Sequence, residues 1–124
     1  MEKLKSYEDL LVYQKADVLA LEVYLVANSF PKSELYGLIF QLKRAVLSVP
    51  ANIVEGFTRK GTKEFIQFLY ISLASLAESE YYIKFALKLK YIDGEKADGL
   101  LEKSTEVGKM LRGLIKSLLS KSSS

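Results

Sequence analysis

Apolar residues recur at alternating steps of four and three in four successive segments of the chain. This spacing places them on one side of an α-helix, because a helix completes a turn about every 3.6 residues. With only two prolines and seven glycines in 124 residues, strong helix breakers are rare. The pattern predicts an all-α protein with four helices at about residues 7–30, 33–60, 62–91 and 94–120.

The predicted helix starts depend on side chains that can accept a hydrogen bond from a free backbone amide. Pro31 ends the first helix, because it has no amide hydrogen and disfavours a helical conformation in the residue before it. Four helices joined by short turns predict one domain over residues 1–124, an antiparallel up-down-up-down four-helix bundle. The predicted capping residues are Ser6, Ser33, Thr62 and Asp93.

Two of the predicted helices are more apolar than an isolated bundle requires. Nine of the ten residues at 18–27 are apolar, with Glu22 as the exception, and residues 65–77 carry no charge. A surface helix needs one apolar stripe, so this surplus predicts that the protein associates with further copies of itself. The alternative is a monomer with exposed apolar residues, which are common on protein surfaces.

The composition excludes several classes of chemistry. The chain has no His and no Cys, so it offers no thiolate nucleophile, no Cys/His metal or haem site and no Ser-His-Asp triad. Glu55, Glu78 and Glu80 could form a carboxylate cluster, but the di-metal centres of helical bundles also use a Glu-x-x-His motif. We therefore expect no metal, no cofactor and no enzymatic activity.

The hydropathy pattern indicates in which part of the cell the protein is located. The longest uncharged stretch, residues 65–77, is shorter than the roughly 20 residues that cross a bilayer. No apolar run follows the first residues in the manner of a secretory signal. These features predict a cytoplasmic protein with no membrane role.

An unusual segment at residues 48–57, SVPANIVEGF, lies inside the second predicted helix. Pro50 can kink a helix, while Gly56 allows another backbone, or a ring such as that of Phe57, to approach closely. Asn52 and Glu55 lie between apolar neighbours, so partial burial is expected, with Arg44 or Arg59 as partner. Together with Gln41 and Ser48 these polar residues form a continuous stripe that could face water, a partner subunit or a ligand. Its role is to fix helix register or an inter-subunit contact, with a ligand site and catalysis as the alternatives.

The turn between the second and third predicted helices is the best candidate for binding an anion. The formal net charge is +3, and the surplus lies in the middle of the chain. Arg59, Lys60 and Lys63 surround Gly61, and the free amides of a helix capped by Thr62 would add partial positive charge. In an oligomer this turn would repeat around one rim.

Several motifs resemble a known family when they are read in order. They are a Tyr-Gly pair at 36–37, a Gln-x-x-Arg element at 41–44, a Val-Pro-Ala-Asn-Ile-x-Glu-Gly block at 49–56 and a Lys-Glu-Phe start at 63–65. Residues 7–92 resemble the four-helix bundle proteins encoded in intervening sequences of bacterial large-subunit ribosomal RNA genes. The fourth helix agrees only in pattern, and Ala74 replaces a frequent glycine.

The resemblance implies a left-handed bundle that forms a ring-like homopentamer. It also implies likeness to accessory proteins of diversity-generating retroelements, which bind nucleic acid and a reverse transcriptase. The signature carried over to this chain is Pro50, Asn52, Glu55 and Gly56, and its expected role is structural. The resemblance brings no established biochemical activity.

These observations predict a non-enzymatic oligomeric scaffold that interacts with a partner protein. The alternative is an RNA-binding or DNA-binding protein, with ribosomal RNA as a candidate, that uses a basic rim at the turn. The residues assigned to that alternative are Lys43, Arg44, Arg59, Lys60 and Lys63.

Overall fold

Four α-helices make up most of the protein. The computed structural model describes residues 6–122, and no β-strand occurs within them. The all-α prediction is therefore confirmed. Short 3-10 turns at Tyr7–Asp9 and Lys32–Glu34 precede the first two helices. The helices are α1 (Leu11–Ala27), α2 (Leu38–Phe57), α3 (Thr62–Lys88) and α4 (Gly94–Ser122).

Each helix packs against two others. Consecutive helices are in contact, and α4 returns to contact α1, whereas α1 does not contact α3 and α2 does not contact α4. The four helices are therefore arranged around one core, with α1 and α3 on a diagonal. Salt bridges from Lys15 to Glu106 and from Glu22 to Lys103 join α1 to α4 across their exposed edges. The up-down-up-down order and the left-handed twist stay predictions.

Most residues of the predicted apolar stripes form the core, but Leu35, the first residue of the second predicted stripe, is exposed in the turn before α2. On α1 the buried residues include Ala16, Leu19 and Val23, and on α2 they include Leu42, Val46 and Ile53. Burial of such side chains from every helix supplies most of the driving force for folding, at about 1.5–3 kcal/mol for a large aliphatic group. The largest fully buried side chains are Leu19, Leu42, Ile53, Leu69, Ile83 and Leu111.

Two helices begin later than their capping signals predict. Ser6 accepts a hydrogen bond from the Glu8 amide, but it caps the 3-10 turn at Tyr7–Asp9, and α1 begins at Leu11. Ser33 lies in the turn at Lys32–Glu34, and α2 begins at Leu38. The first amide of α2 instead donates to Glu34 Oε1 at 3.3 Å. The cap thus comes from four residues upstream of Leu38, a spacing that the usual cap signal does not include.

Among the remaining helix ends, the predicted cap of α4 is confirmed and the predicted cap of α3 is wrong. Asp93 caps α4 as predicted, because its Oδ1 accepts a hydrogen bond from the Lys96 amide at 2.8 Å. Thr62 does not cap α3; it is the first helical residue, and Gly61 occupies the cap position without a side-chain bond. α2 ends at Phe57 and α3 at Lys88. Lys90 has a positive φ of 63°, a conformation that cannot continue a right-handed helix.

α2 and α3 form the most extensive contact in the bundle. The interface contains small side chains, with the buried Ser72 and Ser75 of α3 bonded to Val49 and Ser48 of α2. Ser72 Oγ donates to the Val49 carbonyl at 2.7 Å, so its burial leaves no unpaired hydroxyl. Ala74 is exposed and lies outside this interface.

Gly56 allows the closest approach between α2 and α3. A Cβ built on Gly56 would lie 2.8 Å from Phe68 Cβ and 2.9 Å from Phe65 Cδ1. These distances are shorter than any ordinary carbon contact, so only glycine fits this position without a shift of α3. The predicted close approach at Gly56 is therefore present, and the atoms that approach it belong to Phe65 and Phe68 of α3.

Candidate functional site

An exposed apolar stripe follows the outer side of α1. Leu21 and Leu25 are each 64% exposed, and the stripe continues to Val18 and Leu11. These positions recur at helical spacing opposite the buried stripe, as expected for a helix with two apolar sides. We call Leu11, Val18, Leu21 and Leu25 the α1 face. It accounts for the surplus of apolar residues at 18–27.

A second apolar stripe follows the outer side of α3. Tyr70, Ile71, Tyr81 and Phe85 are exposed, and the positions between them include the exposed residues Ala74 and Ala77. We call Tyr70, Ile71, Tyr81 and Phe85 the α3 face. Because α1 and α3 lie on a diagonal and do not contact each other, the two faces point to different sides of the protomer.

An aromatic groove lies beside the start of α2. It has a volume of about 350 Å³, and its apolar lining includes Tyr24 of α1 together with Tyr36 and Phe40. Lys43 borders the groove, where its ammonium lies 4.9 Å from the centre of the Tyr24 ring and donates to Asn28 Oδ1 at 2.8 Å. This basic residue is thus engaged within the protomer.

The predicted polar stripe of α2 runs along the edge between α2 and α3. At one end Arg44 Nη2 donates to Glu78 Oε2 at 2.6 Å, and the Tyr82 hydroxyl donates to the same oxygen at 3.1 Å. The hydrogen bond with Glu78 raises the pKa of Arg44. Partial desolvation and the Glu78 carboxylate raise the pKa of Tyr82. These contacts connect α2 to α3.

Asn52 and Glu55 have different environments. Asn52 is half-buried, and its Nδ2 donates to the Ser48 carbonyl at 2.7 Å and to Ser48 Oγ at 2.8 Å. Ser48 Oγ also accepts from Ser75, so Asn52 is part of the α2–α3 interface. Glu55 is exposed and pairs with Arg59, so the expected partial burial applies to Asn52 and not to Glu55. The reason is that Glu55 lies on the outer margin of α2.

The five residues predicted to bind nucleic acid do not form one cluster. Lys43 and Arg44 lie in the first half of α2, whereas Arg59 and Lys60 follow its last residue, Phe57, which is about 20 Å further along at a rise of ~1.5 Å per residue. Arg59 lies between Glu55 and Glu64, at 3.2 and 3.8 Å, and its guanidinium covers the Phe68 ring at 4.8 Å. Acidic groups of the same protomer therefore already neutralise both Arg44 and Arg59.

The acidic residues considered for a metal site also have separate partners. Glu55 pairs with Arg59, Glu78 with Arg44, and Glu80 accepts a hydrogen bond from Ser104 of α4. Within residues 6–122, no three His, Cys, Asp or Glu side chains are grouped so that they could hold a metal ion. None of the helices in that part of the chain combines the length and apolar character needed to cross a membrane.

A hydrogen bond that the sequence does not reveal joins two loops. The Tyr91 hydroxyl donates to Glu34 Oε2 at 2.8 Å, and the Tyr91 ring lies 5.5 Å from that of Phe30. Glu34 thus contacts the turn before α4 while its other oxygen caps α2. The bond connects residues 57 positions apart, so no local pattern could have indicated it.

Tyr91→Phe is expected to reduce the pH dependence of stability under alkaline conditions. The hydrogen bond to Glu34 raises the pKa of Tyr91 above its ordinary value near 10. The folded state holds this proton more tightly, so the resulting stability is complete below about pH 10 and is lost as pH rises through the elevated pKa. Urea unfolding between pH 8 and pH 11 should show a steeper decline for wild type than for Tyr91→Phe. Equal declines would contradict the assignment.

Comparison with known proteins identifies relatives of the chain. Residues 8–113 match the 23S rRNA-intervening sequence protein family. The fold is similar to the crystal structure of a protein of unknown function from the S23 ribosomal protein family of Bacteroides thetaiotaomicron. The TM-score is 0.80 at 26% identity, and the match covers 86% of this chain and 99% of the other. No protein with a curated description matches.

Proposed function

The chain belongs to the 23S rRNA-intervening sequence protein family, and we propose that it acts as a cytoplasmic, non-enzymatic scaffold that assembles from identical copies. The observation that carries this proposal is the pair of exposed apolar faces. Single exposed apolar residues are ordinary, but two apolar stripes on different sides of a small protein indicate contact surfaces.

The positions of the two faces favour a ring. In the proposed assembly, the α1 face of one copy packs against the α3 face of the next. Such head-to-tail contacts use two different surfaces of each copy, and they form a closed ring when the rotation between neighbours closes. We propose five copies, as the family resemblance implies. The aromatic side chains of the α3 face suit this role, because aromatic residues are enriched in interface cores.

Charge pairing supports a scaffold role over nucleic-acid binding. Arg44 and Arg59, two of the five residues considered for a phosphate contact, already pair with carboxylates of the same protomer. Binding a phosphate there would exchange one anionic partner for another, which reduces the net gain. In the ring, the outer sides of α2 and α4 would remain available for other partners.

The mass of the protein in solution tests the proposal. Light scattering at micromolar concentration is expected to give a particle of about five times the chain mass of 14.0 kDa. The particle should persist at high salt, because apolar contacts are not screened by ions. A particle of 14.0 kDa under these conditions would refute the scaffold.

A further inference from the structure

The outward side of α4 is divided into an acidic half and a basic half. Six of its charged positions, with Thr105 between them, follow one another at alternating steps of three and four, so they lie along one line on the helix. Lys103 and Glu106 lie beside this line and pair with Glu22 and Lys15 of α1, and Lys96 lies beside it in the first turn. All six positions on the line are exposed, and residues 108–121 contain no acidic residue. We call this line the α4 charge stripe: Glu95, Asp98, Glu102, the uncharged Thr105, Lys109, Arg112 and Lys116.

Ion pairs within the protomer do not account for the order of charges along the α4 charge stripe. Within residues 6–122, none of its six charged side chains has an oppositely charged group within 4.0 Å. Like charges instead lie three and four residues apart, as in Asp98 with Glu102 and Arg112 with Lys116, which destabilises a helix. The helix dipole favours acids in the first turn and bases in the last turn. The effect of the dipole is confined to the first and last turns, so it does not account for Glu102 or Lys109.

Two glycines beside the charge stripe are a second, independent observation. Gly99 and Gly113 lie inside α4, where glycine lowers helix stability. A Cβ built on either would meet no atom within 4 Å, so packing inside the protomer does not require glycine there. Gly108 differs, because its added Cβ would lie 3.4 Å from Leu76. Glycines on an exposed helix side permit the close approach of another backbone.

The charges and the glycines share one centre of symmetry. Reversing the direction of α4 about a point beside Thr105 places Glu95 opposite Lys116, Asp98 opposite Arg112, and Glu102 opposite Lys109. The same reversal places Gly99 opposite Gly113. We propose that two copies of this chain pair through antiparallel α4 helices, with the two-fold axis beside Thr105. Each acidic half then faces the basic half of the other copy.

This contact differs from the proposed ring in the surface that it uses and in the kind of interaction that stabilises it. It is isologous, because the same patch is used twice, and it involves neither the α1 face nor the α3 face. Six ion pairs form across the axis, each exposed at the edge of the contact. Exposed ion pairs are weak and are screened by salt, so the pairing requires low ionic strength. If the ring also forms, each ring presents five α4 charge stripes, so α4 contacts join rings into particles of at least twice the ring mass.

Two charge-reversed variants test the pairing. The acidic variant carries Lys109→Glu, Arg112→Glu and Lys116→Glu, and the basic variant carries Glu95→Lys, Asp98→Lys and Glu102→Lys. The expected particle mass of wild type at 20 mM salt is twice its mass at 1 M salt if the underlying unit is a monomer, and at least twice if it is a ring. Each variant alone should show the smaller mass at 20 mM salt. An equimolar mixture should restore the doubled mass, since it recreates six opposite-charge pairs.

Several results would overturn the proposal. One is a wild-type mass that does not change between 20 mM and 1 M salt. Another is a mixture of the two variants that fails to regain the doubled mass. If the basic half instead binds a polyanion, a duplex RNA would bind wild type and not the acidic variant, with no restoration in the mixture. That outcome rejects pairing through α4 while leaving the apolar ring untouched.

The double variant Gly99→Gln, Gly113→Gln distinguishes an effect on α4 pairing from an effect on the folding of the protomer. Glutamine is a better helix former than glycine, and both positions are open, so we expect the protomer to resist urea at least as well as wild type. The larger side chains should nevertheless prevent the close approach of a second α4 and abolish the doubling at 20 mM salt. A stable variant that still doubles its mass would contradict the symmetry argument.

Discussion

Replacing Leu21 and Leu25 by glutamine is expected to dissociate the assembly into smaller species, down to the 14.0 kDa monomer, at micromolar concentration. Both side chains are 64% exposed in the protomer. Their burial in a neighbouring copy would contribute about 3 kcal/mol per interface, at 1.5–3 kcal/mol for complete burial of one leucine. Losing this contribution weakens each contact on the order of 100-fold.

The same substitution should leave the protomer folded. Surface changes away from packing and caps usually alter the free energy of unfolding by less than about 0.5 kcal/mol. A matched control is Leu35→Gln, which removes an exposed leucine from the turn before α2, outside both apolar faces. The control should retain the wild-type mass. An unchanged mass for the double variant would show that the α1 face is not a contact surface.

Gly56→Ala is expected to destabilise the protein by about 2 kcal/mol. Helix propensity alone predicts the opposite, a gain of about 1 kcal/mol, because alanine is the better helix former. In the structure, the added Cβ would lie 2.8 Å from Phe68 Cβ and 3.3 Å from the Phe65 carbonyl oxygen. These atoms cannot rotate away, so α3 must shift. Overpacking of this kind typically costs 1–3 kcal/mol and sometimes more.

Gly113→Ala provides the control for this measurement. Gly113 also lies inside a helix, but an added Cβ meets nothing within 4 Å, so the substitution should stabilise the protein by up to about 1 kcal/mol. Urea unfolding of the two variants should therefore move the midpoint in opposite directions. If both variants were stabilised, the close approach of α3 at Gly56 would be wrong.

Sequence periodicity was sufficient to predict the helices and their buried stripes. Val12, Leu19 and Val23 of the first predicted stripe are buried, as are Leu42 and Ile53 of the second. The surplus of apolar residues at 18–27 likewise indicated a second exposed stripe on α1. These predictions succeed because side-chain direction along a helix depends only on the local backbone geometry.

Helix starts and the candidate site were less predictable. α2 begins at Leu38 because Glu34 and Tyr91 hold the preceding turn, and Tyr91 is distant in sequence. Arg59 was predicted both as a partner of Glu55 and as an anion-binding residue, and in the structure carboxylates from α2 and α3 both lie within 4.0 Å of it. Ser72 had no predicted role, and it is fully buried with its hydroxyl bonded to the Val49 carbonyl. Each of these outcomes depends on which helix becomes the neighbour.

By itself the sequence determined the all-α class, the apolar stripes and the charge order along α4, since these follow from the repeat of a single helix. Only the tertiary structure decided that α1 and α3 lie on a diagonal, and that Gly56 touches Phe68. It also decided which charged groups already have partners. The physical reason is that contacts between helices form between residues far apart in the chain, where packing, not local periodicity, selects the neighbours.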